Sequence, residues 1–589
     1  MKHSCRFSSA ALLCFVLFSD SLAYQWPSPQ YDTLETLLYE GRRGDGSSLS
    51  SLVHPCRKRP ESPAVIAAEW LRTAFHDMAT HDTSAGTGGL DASIAYELDR
   101  EENFGAGFNS TLSDYVTFSN KYVSRADIVA LGAVFAAATC GGPIVPYQGG
   151  RLDAYVAGPP GVPEPQDDIS SITARFSGAG FSQSDMITLT ACGHTVGGVR
   201  STDFPQLVAP GPNNQLVITP FDPTTQFDHS VVQHYLDGTT QNPLVIDQNK
   251  TMTSDLKIFS SDGNATVTGL ANGDFASTCG NIFNRMINTV PSSVNLTDTI
   301  DLLPAKVSNA QLTIEKNQLV FKTQFRLTQP LNSTISSTRQ VTMYWCDRYG
   351  SAQNCKGSKH FAPSASKLDE QNLSPVTQAL GIGFTTYSFV VPIDSTVSIS
   401  KFWFTVDSKN GSAVVTQDNG GNGYTLDHDQ VFFVPTLSHS DLKQVSLQKR
   451  GGITAAANFT RVFQLTAAVR DGSSSPSRVY MDAQDSAQQG FPAPFTSTVD
   501  FQKNSSSSVA GYSFYTANIE DAGYYLTFDL HGTIDGATYT QDFVQTAFLD
   551  NTPYVAPVQG QVTNSAGRLS GFCLTVGITF VGILFGSLL

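Results

Sequence analysis

The stretch Leu71-Arg72-Thr73-Ala74-Phe75-His76-Asp77 sets an arginine and a histidine one helical turn apart inside an apolar run. Helical spacing places both side chains on one face. A guanidinium and an imidazole that converge on a pocket suit the cleavage of a peroxide bond, because one moves a proton while the other holds developing negative charge. Such a pair also occurs on ordinary helix surfaces, so this interpretation requires partners elsewhere in the chain.

The spacing of apolar residues along the sequence changes about half-way along the chain. From Pro63 to about Thr289, apolar residues recur at helical spacing, as in residues 126–138 and 275–287. After about residue 300 the chain has short runs rich in Val, Thr, Phe and Tyr, such as residues 402–406, which are typical of strands. The sequence therefore predicts a multidomain protein, with a mainly α domain at residues 24–300 followed by an all-β region.

A weak internal repeat divides the β-rich half. The run Phe321-Lys322-Thr323-Gln324-Phe325 is echoed by Phe459-Thr460-Arg461-Val462-Phe463, and Tyr387-Ser388-Phe389 by Tyr512-Ser513-Phe514. The echo predicts two β-sandwich-like modules in tandem, at residues 301–437 and 438–557. Short aromatic and threonine patterns also recur by chance in β-rich chains, and that alternative stays open.

Composition excludes one class of partner and indicates an extracellular protein. The 589-residue chain has a formal net charge of -15 and no basic run, which argues against nucleic acid, since phosphate binding needs clustered Lys and Arg. Residues 1–23 are typical of a secretory signal, with basic residues, the apolar run Ala10 to Phe18, and small residues ending near Ala23. The mature chain is therefore expected outside the cell.

Cysteines and glycosylation sequons agree with that location. Outside the terminal segments an even set of cysteines remains, namely Cys56, Cys140, Cys192, Cys279, Cys346 and Cys355. Oxidised pairs are expected outside the cell, and only the pairing of Cys346 with Cys355 follows from its short spacing. Asn-x-Ser/Thr sequons indicate a glycosylated surface, and they lie at Asn109, Asn249, Asn264, Asn295, Asn332, Asn372, Asn410, Asn458 and Asn504.

The last segment, residues 558–589, ends in the mostly apolar run Phe572 to Leu589, which no Lys or Arg follows. A transmembrane helix usually carries a basic cytoplasmic flank, whereas a lipid-anchor signal has small residues, a spacer and an apolar tail. Asn564 to Gly567 supplies the small residues, so we favour a GPI anchor that attaches the protein to the membrane. Because the spacer is short, a single membrane span stays open.

A second histidine supplies the partner that the first motif requires. His194 ends the apolar helical run that begins near Asp185, and Thr195 and Gly197 follow it. A histidine in such a run is by itself commonly a hydrogen-bonded core residue. Together with His76 and Arg72 it suits a haem site, in which one histidine ligates iron and the other faces an open coordination position.

With these two motifs the chain resembles the plant, fungal and bacterial haem peroxidase superfamily, which carries a distal Arg-x-x-(Phe/Trp)-His and a proximal Gly-x-His-Thr-x-Gly in this order. Arg72, Phe75 and His76 match the first pattern, and His194 with Thr195 and Gly197 matches the second. The resemblance covers about residues 60 to 290 and is to the secreted, class II-like branch. The β-rich half lies outside it.

On the distal side, the resemblance implies that His76 takes a proton from hydrogen peroxide and returns it to the leaving oxygen. It implies that Arg72 stabilises the charge developing on that oxygen. Asn103 matches the family's distal asparagine, the acceptor for the other ring nitrogen of the histidine. Glu97 matches the carboxylate that fixes this asparagine.

On the proximal side, the resemblance implies that His194 ligates the iron of haem b. Asp255 lies at a separation from His194 similar to that of the family's buried aspartate, which takes the histidine N–H. Phe221 falls where some members carry tryptophan, and Phe75 is typical of secreted branches. These two cofactor-contacting phenylalanines favour storage of the second oxidising equivalent on the porphyrin.

Secreted members of the family also hold two structural calcium ions, and the chain offers oxygen ligands for both. The residues that match the distal site are Asp77, Gly89, Asp91 and Ser93. Those that resemble the proximal site are Thr195, Asp222, Thr224 and Asp228, in a loop about one residue shorter than usual. An ordinary Gly/Asp turn is the alternative for the Asp91 loop.

Departures from the family bear on the substrate. The manganese site needs three carboxylates, and the corresponding positions here hold Val65, Glu69 and Arg200, whose cation would repel Mn²⁺. Leu189 occupies the place of the surface tryptophan that oxidises bulky targets. Small phenols or other organic donors are therefore the expected reductants.

We expect an extracellular haem peroxidase that reduces hydrogen peroxide and oxidises small organic donors. The alternative is a cell-surface adhesion or wall-binding protein that keeps the peroxidase fold as a scaffold. In either case a wall polysaccharide or another protein is a candidate partner of the β modules.

Overall fold

The computed structural model describes residues 24–549 except 45, 225, 334–337, 357–358, 372, 445–447, 451–452, 456–458, 473, 486–493, 523–525 and 547–548. The predicted signal (residues 1–23) and anchor segment (residues 558–589) lie outside the described residues, so both stay predictions. Within the described part of the chain, no helix is long and apolar enough to cross a membrane.

The first half of the described chain is helical, with one short hairpin. Two of its helices, α5 and α7, begin at a capping box in which a serine and an aspartate satisfy each other's backbone N–H groups. The helices are α1 (Pro29–Glu35), α2 (Ser50–Val53), α3 (Ile66–Met78), α4 (Ala106–Tyr115), α5 (Arg125–Thr139), α6 (Ile169–Gly178), α7 (Gln183–Gly193), α8 (Ser230–Asp237), α9 (Pro243–Ile246), α10 (Ser254–Ser260), α11 (Ala265–Asn272) and α12 (Phe275–Ile287). The hairpin pairs β1 (Gly198–Arg200) with β2 (Ile218–Pro220).

Helix α5 is the centre of this half, because almost every residue from Ala126 to Ala138 is buried. Helix α3 packs along α5, which holds the arginine and histidine motif rigidly against the main core. Disulfides Cys56–Cys140 and Cys192–Cys279 tie the ends of α5 and α7 to other segments. The predicted helical domain is confirmed.

The second half is built from antiparallel sheets. Its strands are β3 (Ala305–Glu315), β4 (Gln318–Pro330), β5 (Gln340–Cys346), β6 (His360–Pro363), β7 (Ser366–Gln371), β8 (Ile382–Pro392), β9 (Lys401–Asp407), β10 (Val415–Gln417), β11 (Tyr424–Thr425), β12 (Val431–Phe433), β13 (His439–Gln444), β14 (Gln448–Arg450), β15 (Ile453–Ala455), β16 (Phe459–Arg470), β17 (Arg478–Asp485), β18 (Phe495–Asp500), β19 (Gln502–Lys503), β20 (Tyr512–Ala522), β21 (Leu526–Ile534) and β22 (Ala537–Gln545). One helix, α13 (Pro375–Leu380), precedes β8. The predicted order of an α domain followed by β structure is confirmed.

The two groups of sheets share one topology. The first group has the orders β3-β4-β8-β7 and β10-β9-β5-β6, and its inward faces form one apolar core. The second group repeats this topology. In one of its sheets β12 and β13 pair with β16, β16 pairs with β20, and β20 pairs with β19; the other sheet has the order β18-β17-β21-β22. The sequence echo therefore falls on equivalent strands, β4 with β16 and β8 with β20. The exact module boundaries stay predictions, since β12 precedes residue 438 and pairs with β16.

A buried ion cluster joins the helical half to the first β module. Glu35 on α1 is fully buried, and Nζ of Lys306 on β3 lies 2.7 Å from its carboxylate. Arg326 on β4 bonds both Glu35 and Glu40. Burial alone would raise the pKa of Glu35, but the two cations lower it to about 2. An unpaired buried carboxylate would cost about 3–5 kcal/mol of folding free energy. The cluster therefore holds α1 against the sheet that contains β3 and β4.

Candidate active site

One wall of a central cavity is formed by α3. Arg72, Phe75 and His76 all line this cavity, which has a volume of about 440 Å³. Helix α3 also packs on α5, and residues of α7 line the cavity together with Arg72 and His76. The structure thus brings the sequence motif to one site.

The His76 ring is held by a short hydrogen-bond chain. Its Nδ1 lies 2.8 Å from Oδ1 of Asn103, and Nδ2 of Asn103 donates to the Glu97 backbone oxygen at 3.1 Å. The Glu97 carboxylate lies 3.5 Å from the same Nδ2 and also accepts the Gly158 N–H at 2.7 Å. Because Nδ1 carries the proton donated to Asn103, Nε2 of His76 is the unprotonated nitrogen.

Burial keeps this imidazole neutral. Burial first and the cation of Arg72 second lower the pKa of His76 to about 3, and the Asn103 bond opposes both only in part. A histidine with that pKa has a free lone pair on Nε2 at neutral pH. The group is therefore available as a proton acceptor over the physiological range.

Phe108, on α4, supports both distal groups. Its ring lies 4.7 Å from the His76 ring, and the Arg72 guanidinium sits 4.4 Å above it. Burial lowers the pKa of Arg72 to about 10, while Asp203, 4.0 Å away, acts in the opposite direction. Arg72 therefore stays cationic at neutral pH. The face of the Phe108 ring and the carboxylate of Asp203 hold its guanidinium in place.

The opposite side of the cavity carries the second histidine. His194 caps the C-terminus of α7, and its Nδ1 donates to Oδ2 of buried Asp255 at 2.8 Å. The Phe221 ring stacks on the imidazole, with centroids 4.0 Å apart and planes within 9°. With Nδ1 engaged, Nε2 of His194 is the nitrogen left to bind a metal in the cavity.

Asp255 has a second donor that the sequence did not reveal. Nδ2 of buried Asn242 donates to the same Oδ2 at 2.6 Å, and Oδ1 of Asn242 caps α9 by accepting the Leu244 N–H. Asn-Pro at positions 242 and 243 is a helix-start signal, which could have marked this residue as fixed in space but not its partner. Phe108 and Asp203 were missed as well, because their contacts with Arg72 are long-range.

The cavity fits a planar macrocycle held through a histidine nitrogen. It lies between His76 and His194, and its remaining lining is mostly apolar, with Phe75, Phe176, Leu189, Val199, Leu244 and Phe283 among the lining residues. A largely apolar pocket with a few converging polar groups is the usual form of a cofactor site.

Comparison with known proteins bears on this constellation. A family model described as Peroxidase matches residues 56–272. Peroxisomal L-ascorbate peroxidase 5 of Arabidopsis thaliana is 33% identical over 191 residues, which is 32% of this chain and 64% of the relative. A versatile peroxidase of Pleurotus eryngii is 30% identical over 226 residues, 36% of this chain and 52% of the relative.

The helical domain belongs to the haem peroxidase superfamily. Since the relatives include both an L-ascorbate peroxidase and a fungal versatile peroxidase, the predicted class II-like branch stays a prediction. A WSC domain-containing protein of Arthroderma benhamiae is 37% identical over 419 residues, 69% of this chain and 56% of the relative. That alignment is longer than the helical domain, so it includes part of the β-rich half. The chain thus spans a little over half to just under two thirds of these relatives.

In the peroxidase domain, the predicted distal calcium ligands lie together. Asp77 and Asp91 are both buried, and burial together with Asp91 raises the pKa of Asp77 well above its ordinary value. Oγ of Ser93 is buried, and it has no hydrogen-bond partner within the described ranges. Two repelling carboxylates beside an unsatisfied hydroxyl suit a hard cation, so these residues fit Ca²⁺.

The predicted proximal calcium ligands also lie together, but most of their polar groups already have hydrogen-bond partners in the protein. Asp222 accepts hydrogen bonds from Thr224 and from Nδ1 of His234, the latter at 3.0 Å. The Thr195 hydroxyl donates to the Asp228 backbone oxygen at 2.7 Å. The His234 bond occupies a carboxylate oxygen that a cation would need. Among the described residues, no group of three or more His, Cys, Asp or Glu side chains is placed to hold a metal ion.

Glu69 is the only carboxylate at the three positions expected for a manganese site, and it is engaged in two ion pairs. Arg200 Nη1 lies 2.7 Å from Glu69 Oε1, and Arg59 Nε lies 2.5 Å from the other oxygen. Val65 lines the same mouth of the cavity. Leu189, at the place of the surface tryptophan, is buried.

Proposed function

We propose that the protein is a haem peroxidase that reduces hydrogen peroxide to water and oxidises small organic donors. The observation that carries the proposal is the pair of hydrogen bonds on opposite sides of one cavity, His76 to Asn103 and His194 to Asp255. Haem b, when bound, supplies the iron that takes up the two oxidising equivalents of the peroxide. The remaining chemistry falls to the protein's own side chains.

His76 is proposed as the distal acid and base. Its Nε2 accepts a proton from hydrogen peroxide and returns it to the departing oxygen, which leaves as water. The bond from Nδ1 to Asn103 fixes the tautomer that keeps Nε2 open, and the low pKa keeps it neutral before the reaction.

Arg72 is proposed to stabilise the negative charge that develops on the departing oxygen. A cation in a site screened from water has a strong effect on such charge. The face of Phe108 holds the guanidinium beside His76, so little reorganisation is needed when charge appears.

His194 is proposed as the iron ligand and Asp255 as its orienting partner. The carboxylate accepts a hydrogen bond from Nδ1–H of His194, which increases the electron density that Nε2 can donate to a metal. Asn242 holds the other side of that carboxylate and keeps it aimed at the imidazole.

Small organic donors are the substrates that the cavity mouth favours. The ion pairs of Arg200 and Arg59 with Glu69 leave no free carboxylate cluster for Mn²⁺, and Leu189 offers no surface route for an electron. The distal oxygen cluster of Asp77, Asp91 and Ser93 supports a bound Ca²⁺. The disulfides and the signal-like N-terminal residues support an extracellular, cell-surface location.

The test is peroxide-dependent oxidation of a phenolic dye by the full chain loaded with haem. We expect turnover in the wild type and a loss of two or more orders of magnitude in His76→Leu. His531→Leu, on β21 of the second β module and far from the cavity in the chain, is the control. Haem uptake without turnover would instead support the alternative of a wall-binding or adhesion protein on a peroxidase scaffold.

A further inference from the structure

The outer face of the first β module carries a row of three aromatic rings on adjacent strands. Tyr344 on β5 pairs in register with Trp403 on β9 and with Phe361 on β6. Ring centroids are 5.7 Å apart for Tyr344 and Trp403, with planes within 13°, and 6.0 Å apart for Tyr344 and Phe361. Phe361 is 67% exposed, so the row belongs to the surface.

One ammonium group covers two of these rings. Nζ of Lys359 lies 4.7 Å from the Tyr344 centroid and 5.8 Å from that of Trp403. Both distances are within the range of a cation–π contact, so the Lys359 ammonium lies close to both rings. The Tyr344 and Trp403 rings are stacked with nearly parallel planes, and the Phe361 ring is tilted by 40° to the Tyr344 ring.

The surroundings are polar and carry positive charge. Thr342 and Thr405 form the next cross-strand pair along the same face, and Lys401 precedes Trp403 by two residues on that face. Neither Lys359 nor Lys401 makes an ion pair with the residues that the structure describes. A row of aromatic rings beside hydroxyls and two lysines differs from the wide apolar patch that protein partners usually cover.

We propose that this row, Phe361, Tyr344 and Trp403 with Lys359, binds an acidic polysaccharide, a chain of uronic acid sugars. Aromatic faces are electron-rich, and they attract both ammonium groups and the C–H-covered faces of sugar rings. To stack on these rings, a neutral sugar must displace the Lys359 ammonium and offers it no charged partner in return. A uronate stacks on the rings and pairs its carboxylate with the displaced ammonium, so the charges favour the acidic chain.

The second module provides an internal contrast. At the equivalent position of β17, Tyr480 pairs with Asp500 on β18 and His531 on β21, so two of the three aromatic positions are polar. The cation above this tyrosine, Arg478, bonds Asp500 at 2.6 Å. A row that contains a carboxylate and whose cation is already paired repels a polyuronate, so binding is confined to the first module.

Binding of full-length protein to polygalacturonate oligomers, measured by calorimetry at low and at physiological salt, tests the proposal independently of haem chemistry. We expect Trp403→Ala to weaken binding at least tenfold and Tyr480→Ala to leave it unchanged, with His76→Leu binding like the wild type. Thermal unfolding of each variant identifies misfolded protein. Tyr344→Phe, which keeps the aromatic ring, should still bind polygalacturonate.

Lys359→Ala separates stacking from charge. It should weaken polygalacturonate binding and remove most of its salt dependence, while improving binding of a neutral β-glucan oligomer of equal length, because the rings are uncovered. The proposal is overturned if polygalacturonate does not bind, if Trp403→Ala has no effect, or if the wild type prefers the neutral glucan. Binding of protein partners alone to the row would overturn it as well.

Discussion

Oδ1 of Asn103 lies 2.8 Å from Nδ1 of His76, and this bond determines which nitrogen of the histidine faces the cavity. An acceptor at Nδ1 selects the tautomer with a bare Nε2. The side chains of Asn103 and Glu97 are both buried, so the arrangement is held without help from solvent.

Replacement of Asn103 by alanine should slow the reaction with peroxide by about 10- to 100-fold, because the imidazole loses its fixed tautomer and orientation. Stopped-flow absorbance of the haem band measures this rate directly. Asn284→Ala, which removes a surface amide that donates to Pro146, is the control and should react like the wild type. An unaltered rate in Asn103→Ala would show that the bond is not needed.

The pH dependence follows from the pKa of His76, which burial lowers from 6.5 to about 3. The rate with peroxide should stay level as the pH falls from neutral and should drop only near about pH 3. The unfolded chain binds this proton at higher pH than the folded one, so the contribution of His76 to stability falls between pH 6.5 and about 3. A rate profile with its midpoint near 6.5 would contradict this account.

Much of the site could be predicted from sequence, because its central signals are local. Arg72 and His76 share a helix turn, and His194 directly ends another helix, so pattern and spacing were sufficient. Phe108, Asp203 and Asn242 act through contacts with other segments, and nothing in the sequence around them reveals their partners. Phe108 meets Arg72 only because α4 packs on α3.

In the β-rich half, too, features with a local sequence signal could be predicted and features that depend on long-range contacts could not. Alternating aromatic residues predicted strands and a repeat, since side-chain alternation is local. Which strands pair is a long-range property, so the row of Tyr344, Trp403 and Phe361 could not be identified before the register was known. The ion cluster of Glu35 with Lys306 and Arg326 joins residues nearly half the chain apart and was likewise invisible in sequence.

Manganese should not serve as a reductant, because Arg200 and Arg59 neutralise Glu69. Added Mn²⁺ should leave dye oxidation unchanged and should form no Mn³⁺ chelate. Arg200→Asp, which places a second carboxylate beside Glu69, should gain weak Mn²⁺ binding, detectable by calorimetry. Arg285→Asp, at an exposed site, is the charge-matched control. Saturable Mn²⁺ oxidation by the wild type would refute this interpretation of the cavity mouth.

Removal of calcium should destabilise the helical domain, because Asp77 and Asp91 then repel each other without a cation between them. A chelator should lower the midpoint of thermal unfolding by several degrees, and added Ca²⁺ should restore it. In Asp91→Asn the repulsion is relieved and the effect of the chelator should largely vanish. A chelator effect of equal size in both proteins would place the responsible ion elsewhere.

The central claim is that haem is held by His194 in the cavity that His76 faces. The most direct measurement is the absorbance of the haem-loaded full chain before and after one equivalent of hydrogen peroxide, in the wild type and in His194→Ala. We predict a haem band in the wild type that shifts within seconds of peroxide addition, and weak or absent haem retention in His194→Ala. Purified wild-type protein that takes up no haem, or a band that peroxide does not shift, would contradict the account.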